Sequence, residues 1–154
     1  MAKRFKFRLA TVLKIRKQRE DAAKRVVADR LREVGQVQGE IDSLQDQILR
    51  ELGMFRESHA TGRIDVTQIA RHRHWLIHLD QGVMLARTRL GELQDQLSGD
   101  RAALAEARKQ VRVLEKLEER QYERYMKDLN RAETRELDEI GNIVHLRQRA
   151  VASA

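Results

Sequence analysis

IARHRHWLIHLDQGVMLARTRLGELQDQLSGDRAALAEARKQVRVL, residues 69–114, repeats every seven positions. Its a positions are Ile69, Leu76, Val83, Leu90, Leu97, Leu104 and Val111, and its d positions are His72, Leu79, Ala86, Leu93, Asp100, Ala107 and Leu114. Twelve of these 14 are apolar, in a chain that is only 41% apolar. An apolar repeat averaging 3.5 residues keeps one seam of a helix against a partner helix over a long distance, the basis of a left-handed coiled coil. The remaining residues must supply that partner or use the helix it stabilises.

Continuing the register towards the N-terminus gives a positions Leu13, Glu20, Val27, Val34, Ile41, Ile48 and Phe55, and d positions Leu9, Arg16, Ala23, Arg30, Val37, Leu44 and Glu51. Ten of these 14 are apolar, which makes a looser partner for the second helix. The repeat stops in RESHATGRID, residues 56–65, where Ser58, Thr61 and Gly62 mark a turn. Asp65 followed by Gln68 resembles a capping box, with the carboxylate accepting from orphan backbone N–H groups. The expected fold is all-α: a long antiparallel two-helix coiled-coil hairpin forming one domain over residues 1–154, with helix one at about 7–56, the turn at about 57–65 and helix two at about 66–146.

A turn centred near residue 60 implies specific layers: Ile48 with His72, Leu44 with Leu76, Ile41 with Leu79, Val34 with Ala86, Val27 with Leu93 and Leu9 with Val111. Glu20 then meets Asp100, a like-charged, wet layer relieved by Lys17, Lys24 or Arg101. Helix one runs out opposite about residue 115, so residues 116–145 are expected to form a C-terminal overhang of roughly 45 Å. The overhang carries a seam of its own, at Tyr122, Tyr125, Leu129, Ala132, Leu137, Ile140 and Ile143. Apolar groups on a projecting helix need a cover, by dimerisation, by folding back or by another protein.

With 36% charged residues, 4% aromatic residues, no proline and no cysteine, the chain has little material for a globular core. Missing prolines suit long helices, and missing cysteines exclude disulfides and thiolate metal sites. No run reaches the length of a membrane span, and no secretory signal pattern opens the chain, so the cytosol is the expected compartment. The formal charge of +7 is uneven: residues 1–32 carry +9, residues 33–100 carry −4 and residues 101–154 carry +2. The basic end, KRFKFRLATVLKIRKQRE (residues 3–20), crowds cations at a helix start, where the macrodipole disfavours them. They serve solubility or an acidic partner surface.

No phosphate loop, catalytic triad or isolated carboxylate pair is present, and a two-helix hairpin has no concave pocket, so the chain reads as a non-enzyme without cofactor. His74 and His78 share a helix face, but two histidines are too few ligands for a zinc site, and no metal is expected. Trp75, the only tryptophan, lies on the rim of the seam and forms a stripe with Leu79, Gly82 and Ala86. It either lies across its own coil or forms an interface hot spot.

Phe5-Lys6-Phe7-Arg8-Leu9, Val12-Leu13, Arg16 and Glu20 at one end resemble the N-terminal pattern of the FliJ family. Leu114-Glu115-Lys116-Leu117, Tyr122, Glu133 and Glu136-Leu137-Asp138-Glu139 are similar to the C-terminal pattern of that family, the coiled-coil component of flagellar type III export. The resemblance implies a cytoplasmic, non-catalytic stalk peripheral to the inner-membrane export apparatus. Its implied partners are the hexameric FliI-like export ATPase, the FlhA-like export gate and substrate chaperones, with the chain itself a monomer or weak dimer. The gate-binding positions of the family fall on Trp75, Leu79, Gly82 and Ala86. The ring-facing end is expected at Lys3, Arg4, Lys6 and Arg8 together with Tyr122, Tyr125 and Leu129. Competing readings are the stalk of a virulence secretion system, a nucleic-acid-binding coil using residues 1–32, and a self-pairing coil.

Overall fold

The computed structural model describes residues 4–60, 62 and 65–152, with side chains as far as residue 149. The described residues form two helices: α1, Ala10–Ala60, and α2, Val66–Ala152. They form an antiparallel hairpin in which α2, at 87 residues, is far longer than α1, at 51. The chain divides into two compact units, Glu20–Ala107 and Met1–Arg19 with Arg108–Ala154.

In the first of these units the heptad seam is the core. Val37, Ile41, Ala86 and Leu93 are buried together, with Val34 and Leu90 packed against them. Leu79, Val83, Leu97 and Leu104 are buried along the same edge of α2. Each buried aliphatic side chain contributes about 1.5–3 kcal/mol relative to exposure. Among the described residues no polar or charged side chain is fully buried. The polar a and d residues are instead half-buried in pairs.

Those pairs correct the expected register. Asp100 does not meet Glu20; Arg30 Nε donates to its carboxylate at 3.1 Å, while Arg30 Nη1 reaches Glu33 at 2.7 Å. Glu20 is bridged to Lys24 at 2.9 Å. Leu44 packs on Gly82 rather than Leu76, its methyls 3.4 and 3.7 Å from where a Cβ on that glycine would stand. His72 Nδ1 bonds Glu51, where Ile48 was expected. The partners on α2 thus lie about one heptad further along than the sequence layers placed them. A shift of one repeat leaves every a and d residue on the seam, so periodicity cannot choose between the two registers; the turn chooses. Residues 57–60 continue α1 instead of leaving it, and Gly62, at φ +78°, takes the left-handed conformation that ends a helix. Its N–H donates to the His59 carbonyl at 3.3 Å. With α1 ending at Ala60 and α2 starting at Val66, the midpoint between the helices is near residue 63 rather than 60.

α2 then starts as its sequence indicates. Asp65 Oδ1 accepts from the N–H groups of Thr67 at 2.9 Å and Gln68 at 3.4 Å, which satisfies two of the orphan donors of the first turn. Phe55 closes this end, its ring 4.1 Å from His59 and 5.6 Å from His72.

In the other unit, α1 starts only at Ala10. Its first turn has no acidic residue and several cations nearby, which is poor helix-starting chemistry. Leu13, Phe7 and Val111 are buried together, bordered by Phe5 and Leu114. Arg16 Nη1 donates to Gln110, and Lys17 pairs with Glu115 at 2.8 Å.

Candidate functional site

The basic N-terminal segment is a strap, not a helix. Residues 4–7 carry no helical structure, and their side chains alternate: Phe5 and Phe7 turn inward, while Arg4, Lys6 and Arg8 are exposed. Alternation with period two is what an extended chain imposes, since successive side chains leave opposite faces. The Ala10 N–H donates to the Phe7 carbonyl at 3.3 Å and joins strap to helix. The signal was present in the sequence as Phe5-Lys6-Phe7-Arg8, whose alternating apolar and basic residues fit period two better than period 3.5.

The one-heptad shift carries the strap to the residues of α2 that follow Leu114. Phe5 accordingly meets Tyr122 edge-on at 5.3 Å and Tyr125 at 5.6 Å, the two tyrosines standing 6.4 Å apart. Tyr122 remains half exposed, whereas Tyr125 and Leu129 are more covered. This corrects the expectation that residues from 116 onward lie bare: exposure becomes continuous only from residue 130, over roughly 30 Å of helix to residue 149. Of the residues expected at the ring-facing end, Tyr122 and Tyr125 meet the strap that carries Arg4, Lys6 and Arg8, and Leu129 lies one helical turn beyond Tyr125; Lys3 lies outside the described residues.

Trp75 forms a second surface, in the other unit. The residue is 45% exposed, and its ring stacks on His78 at 5.4 Å. On one side lies a shallow hollow of about 370 Å³, bordered by Gln47, Glu51 and Met54. On the other lies one of about 250 Å³, bordered by Leu44, Gly82 and Leu85. The glycine keeps the second hollow open, since only the Leu44 methyls approach its α-carbon face. Leu79 and Ala86, the other two residues of the stripe, are 2% and 5% exposed and belong to the hairpin core. Trp75 and the open side of Gly82 are the exposed part of the stripe; Leu79 and Ala86 lie beneath it.

Among the described residues no group of three or more His, Cys, Asp or Glu is placed to hold a metal ion. No helix among the described residues is long and apolar enough to cross a membrane. Two cations are held away from their ordinary titration: hydrogen bonds from Lys24 to Glu20 and from Arg30 to Asp100 raise their pKa values. Exposed cations lie on the strap beside half-exposed Tyr122, and the Trp75 indole lies beside two hollows.

The family model described as Flagellar FliJ protein matches residues 5–150, nearly the whole chain. Its match starts at Phe5, the residue that pins the strap to Tyr122 and Tyr125. No curated protein and no solved structure matches the chain.

Proposed function

Because this chain belongs to the FliJ family of flagellar export proteins, we propose that it is a non-catalytic stalk joining the two machines of type III export. One end, formed by Lys3, Arg4, Lys6 and Arg8 with Tyr122, Tyr125 and Leu129, docks in the hexameric ring of a FliI-like ATPase. The Trp75 edge meets the cytoplasmic part of an FlhA-like gate. Substrate chaperones are handled by the same protein, which works in the cytoplasm, peripheral to the inner-membrane apparatus.

The observation that supports this reading best is the strap. Phe5 and Phe7 fix a short extended segment on α2, and three cations are thereby presented outward in fixed order. A preorganised basic surface loses less conformational entropy on docking than a loose tail would. Cations of this kind speed encounter with an acidic ring and make it salt-dependent, while the tyrosines supply apolar contact. Nothing in the packing of the hairpin requires Arg4, Lys6 or Arg8, whose side chains are exposed.

ATP hydrolysis by the cognate export ATPase, measured with and without this protein, tests the ring-facing half. Arg4→Glu, Lys6→Glu and Arg8→Glu combined with Tyr122→Ala and Tyr125→Ala should abolish stimulation while far-UV circular dichroism stays helical. Full stimulation by that variant would show that the ring is gripped elsewhere.

A further inference from the structure

Beyond the strap, α2 carries a bare apolar stripe. Leu137, Ile140 and Val144 are 68%, 57% and 48% exposed, and no other described part of the chain covers them. They recur at intervals of three and four, so they share one helix face. Gly141 stands beside them with nothing within 4 Å of a Cβ built on it. A glycine in a helix interior is destabilising relative to alanine, and one with open space beside it leaves room for another backbone to come close.

The charges beside the stripe are arranged head to tail. Residues 133–139 hold Glu133, Glu136, Asp138 and Glu139 against Arg135 alone, whereas residues 145–149 hold His145, Arg147 and Arg149 and no acid. Glu136 and Arg147 are eleven residues apart. That is about three helical turns, so both lie on the same flank of the stripe. Asp138 and His145 lie on the opposite flank.

We propose that this stretch pairs with the same stretch of a second copy of the chain, antiparallel, about a two-fold axis passing near Gly141. In that arrangement Leu137 of one copy faces Val144 of the other, and Ile140 faces the glycine gap. Glu136 of each copy meets Arg147 of its mate, and the symmetry makes the contact twice. A parallel pair would instead set acidic end against acidic end. The charge order therefore selects both the occupant and its direction, since a C2 interface must be self-complementary. The proposal is independent of ring docking, which uses the strap and the tyrosines rather than residues 133–149. It adds a state in which the exposed stripe is closed by a mate.

Sedimentation equilibrium of the full chain over a range of concentrations tests it. The native protein should show a monomer–dimer equilibrium. Glu136→Arg alone, or Arg147→Glu alone, replaces two attractive contacts by two repulsive ones and should weaken association on the order of tenfold. The two single variants mixed together should associate with each other as strongly as the native protein does with itself, because in both contacts an arginine of one variant then faces a glutamate of the other. The double variant Glu136→Arg/Arg147→Glu should likewise regain native association. These positions are exposed, so helicity and melting temperature should be unchanged. A native chain that stays monomeric at every accessible concentration overturns the proposal. So does a dimer indifferent to either charge reversal, or a mixture no tighter than its components.

Discussion

The hairpin register makes a distance prediction that cysteine chemistry can read without background, because the chain has no cysteine of its own. In the structure Leu44 packs directly on Gly82, with a methyl 3.4 Å from where that residue's Cβ would stand. That methyl is two bonds beyond the Leu44 Cβ, which puts the two Cβ atoms within about 6 Å of each other, so with a small adjustment Leu44→Cys and Gly82→Cys should oxidise to an intramolecular disulfide, whose Cβ atoms lie about 3.5–4.5 Å apart. The pairing expected from a turn at residue 60 is Leu44 with Leu76, six residues earlier on α2. Six helical residues are about 9 Å, so Leu44→Cys with Leu76→Cys should stay reduced or form only slow intermolecular links. Closing a loop of about 38 residues removes up to about 4 kcal/mol of unfolded-chain entropy, so the 44–82 bridge should also raise the melting midpoint. The assay is non-reducing electrophoresis after mild oxidation, followed by thermal melting with and without reductant. Efficient bridging at 44–76 together with none at 44–82 would refute the register and the packing built on it.

Three further outcomes follow from the same structure. Ile41→Ala, which empties a side chain 4% exposed in the core, should cost about 2–5 kcal/mol in urea unfolding followed by circular dichroism. Gly62→Val, at φ +78°, should cost about 1–2 kcal/mol, while Gly62→Asn should cost less, by the same melt. The hydrogen bonds of Lys24 to Glu20 and Asp21 raise its pKa above the ordinary 10.5. A raised cation stabilises the fold fully below its unfolded pKa and loses that contribution as pH rises through the folded one. Lys24→Met should therefore erase part of the stability lost above about pH 10.5 and leave the pH 6–9 profile flat relative to the native chain.

The seam and the start of α2 were legible because each rests on local chemistry. Apolar residues at a and d report the buried edge directly, and Asp65 accepts the bonds that its position promised. The register was not legible, because a heptad repeat looks the same after sliding by one repeat. Its determinants are small and few: the helical continuation through residue 60, the left-handed Gly62, and the opposite charges of Arg30 and Asp100. Both members of that last pair were visible as polar d residues, and matching them by sign would have favoured the observed register. The strap was hidden by extending a helical repeat through Leu9, although Phe5 and Phe7 alternate with cations. As for the Trp75 stripe, a d position cannot both close the hairpin and face a partner, and Leu79 and Ala86 close it.

Placing one partner at each of two surfaces is the central claim, and photo-crosslinking from single positions addresses it most directly. A benzophenone amino acid at Arg8, on the strap, and in a separate protein at Trp75, would be irradiated in the presence of both the export ATPase and the gate's cytoplasmic domain. The expected result is capture of the ATPase from position 8 and of the gate from position 75. Capture of the same partner from both positions, or the exchange of the two, would contradict it.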